Sequence, residues 1–249
     1  MVPLVLFKNR NFSGGSLSLA LVEIANGGLL LVFTQYLQFV LGYSPVKAGL
    51  AFVPLAVGAL AGNAGGVKLG ARTGPRFLVL GGMLVMAASF GLLTMVSAEG
   101  GFAIPAVALG LLGLGAGVAM PAAMGALMST IPPEKAGVGS ALNDTIQQAG
   151  SALGIAILGS LLAGGFTWHM PAGAPAQARR SITGALAAAH GEGRLVHAAR
   201  EAYSASMSAT FTVSAIAILA AALLATLVIR NTKPEPAAAT PAEAPELVA

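Results

Sequence analysis

The sequence predicts an all-α integral membrane protein that crosses the bilayer six times, and two observations carry that prediction. Of 249 residues 56% are hydrophobic and only 9% charged, against about 45–50% and about 25% in an ordinary soluble domain. The apolar excess, a mean hydropathy of +0.81, is also divided into six runs bounded by charge, proline or glycine. About 20 mainly apolar residues suffice to cross roughly 30 Å of hydrocarbon. Residues 12–41, 48–69, 77–97, 102–129, 138–166 and 207–229 meet that length, so residues 1–230 form one six-span domain.

The first run follows Lys8, Asn9 and Arg10 and is too long for the apolar core of a signal peptide, so it is expected to stay attached. In the second, Pro54, Gly58, Gly62 and Gly66 recur every fourth residue; Gly113 and Gly117 do so in the fourth, and Gly150 and Gly154 in the fifth. In lipid no hydrophobic force draws helices together, so small residues at this spacing mark faces where backbones approach. Pro54, Pro105 and Pro121 lie in or at the ends of spans, where a missing N–H can kink a helix. Between the fifth and sixth runs, residues 167–206 form a long loop. There Ile182, Leu186 and Ala189, then Leu195, Val196, Ala199 and Tyr203, fall at helical spacing and predict two short amphipathic helices. Residues 231–249, rich in Ala, Pro and Glu, predict a disordered tail.

Six spans put both termini on one side. Lys8, Arg10, Lys68, Arg72, Arg76, Lys135, Arg230 and Lys233 fall on that side, against Lys47, Arg179, Arg180, Arg194 and Arg200 on the other. The positive-inside rule then predicts a multi-pass protein of the cell membrane with both termini cytoplasmic.

The absence of cysteine rules out a disulfide scaffold, thiolate metal sites and thiol catalysis, and leaves the redox compartment unread. The histidines, His169, His190 and His197, all sit in the long loop and predict solvated side chains, not a metal site. The net charge of +4 is scattered over short loops without interleaved aromatics, so nucleic acid is not an expected partner. Enzyme chemistry lacks its parts. Ser140 has no histidine at membrane depth, and neither a His-Glu-x-x-His zinc motif nor a phosphate-binding Gly-x-x-x-x-Gly-Lys-Ser/Thr loop is present. No cofactor is expected.

Acids at mid-bilayer cost about 2.5 to 3.5 kcal/mol on insertion scales, so each one calls for a reason. Glu23 lies about a dozen residues into the first run, with Asn26 one turn on and Gln35 and Gln38 farther along. Asp144 lies near one end of the fifth, in the cluster Asn143, Asp144, Thr145, Gln147 and Gln148. Glu23 is the deeper and so the stronger candidate for cycling between proton-bound and ionised forms; its alternative role is a hydrogen bond to a neighbouring helix. Asp144 stands close enough to the interface to cap a helix or meet water.

The stretch from Lys68 to Arg76 resembles the cytoplasmic loop motif of the major facilitator superfamily, Gly-x-Leu-Ala-Asp-Arg-x-Gly-Arg-Arg. Leu69, Arg72, Gly74 and Arg76 match it, whereas Ala71 replaces the acid and Pro75 a basic position. With Gln35-Tyr36-Leu37-Gln38, Gly42-Tyr43-Ser44-Pro45, Gly113-Leu114-Gly115, Met120-Pro121 and the stretch from Ile131 to Gly150, the chain resembles the C-terminal half of a fourteen-span drug:proton antiporter. The resemblance implies two inverted three-helix repeats and proton-coupled export of hydrophobic or cationic small molecules by alternating access. Glu23, Asn26, Gln35 and Gln38 would face the cavity, Asn143 and Asp144 its inner end, and Arg72 and Arg76 would hold the loop. It also implies a missing N-terminal six-helix half, encoded ahead of Met1, lost from a truncated remnant, or supplied by a partner or a second copy. The competing class is a non-transporting membrane scaffold or partner subunit.

Overall fold

The computed structural model describes residues 9–97, 101–132, 136–189 and 192–228. Helix α1 (Arg10–Gln35) starts at Asn9, whose side chain accepts the Asn11 N–H at 2.9 Å, and runs on through a π-helical turn at Tyr36–Val40. After Gly42, at φ +68°, Ser44 caps the short α2 (Pro45–Leu50) by accepting the Lys47 N–H at 3.3 Å. Then come α3 (Val53–Thr73), α4 (Pro75–Leu93), α5 (Ala103–Met128), α6 (Ala136–His169), α7 (Ile182–Ala188) and α8 (Gly193–Val228).

Six of these segments are long and apolar enough to cross a membrane, and each contains most of one of the six runs of the sequence. The prolines divide by position. Pro54 and Pro105 occupy the first turns of α3 and α5, where an N–H has no intrahelical acceptor, while Pro121 alone of the three is interior, in α5.

The last span departs from expectation. It begins at Gly193, not near residue 207, so the second amphipathic helix expected in the loop is the first part of α8. The cause is a stripe of buried residues, Ala199, Ala202, Tyr203, Ser206, Met207, Thr210, Phe211 and Ser214, whose alternating steps of three and one carry a single helical face across the expected boundary. Arg194, Arg200 and Glu201 lower the hydropathy there without interrupting the stripe. Helix α7 matches the first of the two expected helices, capped by Ser181, which accepts the Gly184 N–H at 3.1 Å.

Because three spans are an odd number, α5, α6 and α8 run opposite to α1, α3 and α4, and the packing respects an exchange of the two triplets. Helix α3 packs on α5 and α6 on α1; α4 lies against α5 and α8 against α1; α4 and α8 meet directly. The fold is thus all-α, with two inverted three-helix repeats. Rings of Phe90 and Phe211, 5.6 Å apart, fill the α4–α8 seam, and the Ser89 hydroxyl donates to the Ala108 carbonyl at 2.6 Å across α4 and α5. At the end of the bundle that carries the first and last described residues, the Arg10 guanidinium donates to the Leu227 carbonyl, a cation at the negative end of α8. The opposite end carries α7.

The glycine stripes make these crossings close. A methyl group on Gly150 would stand 2.8 Å from the Ala20 carbonyl oxygen, and one on Gly154 would overlap that of Ile24, so only glycine lets α6 approach α1. Gly58, Gly62, Gly113 and Gly117 do the same for α3 on α5, against Gly110, Leu114, Leu55 and Ala59 in turn; Gly66 is looser, 3.4 Å from the Val118 Cα. Between α3 and α4, Gly74 adopts φ +81° and ψ 163°, backbone space that side chains with a Cβ rarely enter. Lys8, Lys135, His190, Arg230, Lys233 and the tail at 231–249 lie outside the described residues, as does the side chain of Arg72.

Candidate functional site

Helices α1, α3 and α5 enclose a groove of about 660 Å³, within the range of small-molecule sites. Its walls are apolar: Leu29, Leu30, Leu55, Ala56, Ala59, Leu60, Ala116 and Met120, with Gly113, Gly117 and Pro121. Three polar side chains break them, Glu23 and Asn26 from α1 and Asn63 from α3. Glu23 and Asn26 are half-buried and Asn63 is exposed to the groove. Each is placed by helix register. Glu23 and Asn26 are three residues apart and share a face of α1, and the Glu23 Cβ lies beside Gly150, where a methyl on that glycine would come within 2.9 Å. Asn63 follows Gly62, whose missing side chain brings α3 against Leu114 of α5 and turns the amide toward the groove.

Sequence reading missed Asn63, although its signal was available: an amide near the middle of a span, inside the stripe Gly58, Gly62 and Gly66, where an uncompensated polar group is costly.

The other expected site residues lie elsewhere. Gln35 lines a separate cavity with Arg180 and Tyr203, because nine residues from Asn26 are two and a half turns at about 3.6 residues per turn and reverse the direction of the side chain. Gln38 is partly buried in the π-helical turn. Asn143 is 4% exposed, its Oδ1 without a hydrogen-bond partner and its amide 3.4 Å from Asp144 Oδ1; Asp144 itself is exposed. Neither lines the Glu23 groove. In the loop motif Leu69 is exposed and Arg76 half-buried.

Among the described histidines, His169 donates its Nδ1–H to the Gly165 carbonyl at 2.8 Å, and His197 stands 3.5 Å from Glu201. No group of three or more His, Cys, Asp or Glu side chains suited to a metal ion occurs among the described residues.

Six apolar spans in two inverted triplets, enclosing a groove with one carboxyl and two amides, define a multi-pass membrane protein. The chain belongs to the major facilitator superfamily, whose family model, described as Major Facilitator Superfamily, matches residues 15–248. It is similar to the puromycin resistance protein pur8 of Streptomyces alboniger, 36% identical over 172 residues, covering 66% of this chain and 33% of that one. It is 30% identical over 242 residues to the multidrug efflux pump LfrA of Mycolicibacterium smegmatis, covering 93% of this chain and 48% of LfrA. The methyl viologen resistance protein SmvA of Salmonella typhimurium is 34% identical over 180 residues, 71% of this chain and 36% of SmvA. The chain thus spans between a third and a half of the length of these relatives.

Proposed function

We propose that the chain is one six-helix half of a drug-efflux carrier, and that the Glu23 groove takes hydrophobic cations in exchange for protons by alternating access. The observation that carries this reading is the gathering of Glu23, Asn26 and Asn63 in an otherwise apolar groove of about 660 Å³. A carboxyl in such a wall is neutral when it holds a proton and is neutralised when it faces a cation, so the two compete for one group. The apolar walls select for hydrophobic bodies, and the amides can orient a ligand by hydrogen bonds without adding charge. Relatives named for multidrug efflux and for resistance to methyl viologen, a dication, support this substrate class.

A further six-helix half, from a partner segment or a second copy, would close the groove over the exposed apolar face of α3, where Val57 and Leu60 lie open. The lysine and arginine distribution supports cytoplasmic termini.

The test is binding of tetraphenylphosphonium to the purified chain in detergent at low buffer capacity, with the released protons followed by a pH indicator. The expected result is proton release on binding, abolished in Glu23→Gln. Binding with no proton release, or release unchanged in that variant, removes Glu23 from coupling. No binding at all favours the non-transporting scaffold.

A further inference from the structure

We propose that the cavity between α1, α6 and the segment preceding α7 binds the phosphate of an anionic phospholipid. It measures about 210 Å³, the volume of roughly seven waters at about 30 Å³ each. That admits a phosphate with a few attached carbons and is small for a drug-sized molecule. Its wall combines Gln35 and Arg180 with Leu31, Leu162, Phe166 and Ile182.

Two observations point to this ligand. First, the exposed Arg180 guanidinium and the half-buried Gln35 amide line the cavity and have no hydrogen-bond or ion-pair partner among the described residues. Guanidinium donors form a planar fork that fits phosphate oxygens, and an amide NH₂ adds a further donor. Second, depth: Trp168, the sole tryptophan of the chain, follows Phe166 by two residues and is 86% exposed. An indole turned outward from a span belongs at headgroup level, which places the cavity where lipid phosphates lie.

The acid Glu201 does not offset the arginine: it lines a different cavity with His197. The cavity also shares none of the lining residues of the Glu23 groove.

Native mass spectrometry of the 249-residue chain in detergent, with phosphatidylglycerol, phosphatidylcholine or inorganic phosphate added, tests the assignment. Phosphatidylglycerol should be retained in preference to phosphatidylcholine. In Arg180→Gln the retention should fall about tenfold, the worth of one charge-assisted hydrogen bond, and Arg180→Lys should restore part of it. Arg194→Gln, outside the cavity, should behave as the parent chain, and tetraphenylphosphonium binding should be unchanged in Arg180→Gln. Equal retention of both lipids, an unaffected Arg180→Gln, or displacement of the lipid by inorganic phosphate at equal concentration would overturn the proposal.

Discussion

The phenol of Tyr203, in α8, donates a 2.7 Å hydrogen bond to the carbonyl oxygen of Val32, in α1. That carbonyl stands one turn before the π-helical turn at Tyr36–Val40, where α1 changes its hydrogen-bonding step and carbonyls lose ideal partners. Arg200, one turn earlier on α8, reaches the Phe39 carbonyl at 3.4 Å, and on the other side the Tyr36 hydroxyl donates to the Ser97 carbonyl at 2.9 Å. The irregular turn is therefore held by side chains from α8 and by one of its own.

Tyr203→Phe keeps the ring, which is 2% exposed, and removes only the buried donor. The expected loss of stability is about 1 kcal/mol, read as a lower midpoint in thermal unfolding in detergent. An unchanged midpoint would show that the Val32 carbonyl needs no bond from α8.

At the α1–α6 crossing, Gly154→Ala places a methyl group against the Ile24 carbonyl oxygen, which belongs to the backbone and cannot swing away. A destabilisation of about 2 kcal/mol is expected from overpacking. Gly81→Ala in α4 meets nothing within 4 Å and should be neutral or stabilise by up to about 1 kcal/mol through helix propensity. Equal midpoints for the two variants would deny the crossing its tight fit.

Asn63→Ala removes one amide from the groove and leaves the apolar walls intact. Tetraphenylphosphonium has no hydrogen-bonding group, so its affinity should stay within about twofold; a cation carrying amino groups, such as ethidium, should bind about fivefold more weakly, the equivalent of one hydrogen bond. Isothermal titration decides this, and equal losses for the two ligands would assign Asn63 to helix packing.

Gly74→Ala forces a Cβ into φ +81°, ψ 163°, at an expected cost of about 1 to 3 kcal/mol. Gly65→Ala, with open space around the added methyl, is the matched control. Similar thermal midpoints for both would mean that the α3–α4 junction relaxes freely.

Hydropathy made the six spans legible because each is a long run of residues that gain from leaving water, and the four-residue glycine steps marked the crossings because helical register repeats nearly every fourth residue. Register also explains what sequence reading misplaced. Gln35 follows Glu23 and Asn26 in the same span, yet its direction reverses over two and a half turns, which a list of polar residues does not reveal. Asn63 was hidden by its surroundings, since a stripe of glycines reads as packing surface. The early start of α8 was masked by Arg194, Arg200 and Glu201: average hydropathy falls there, while the buried stripe from Ala199 continues. The π-helical turn leaves no compositional mark on Tyr36–Val40, so only the structure shows it.

The glycine crossings have a mechanical consequence. They weld α1 to α6 and α3 to α5, each pair backbone against backbone, so each behaves as one stiff limb. Glu23 rides on the first limb and Asn63 on the second, and the groove is the gap between them. The limbs also touch at Gly15, where an added methyl would lie 2.7 Å from the Ala123 carbonyl oxygen, toward the end of the bundle away from α7. The two limbs are thus joined directly at Gly15, two turns from Glu23, and again through the α4–α8 seam, so the groove is a gap between two braced pairs.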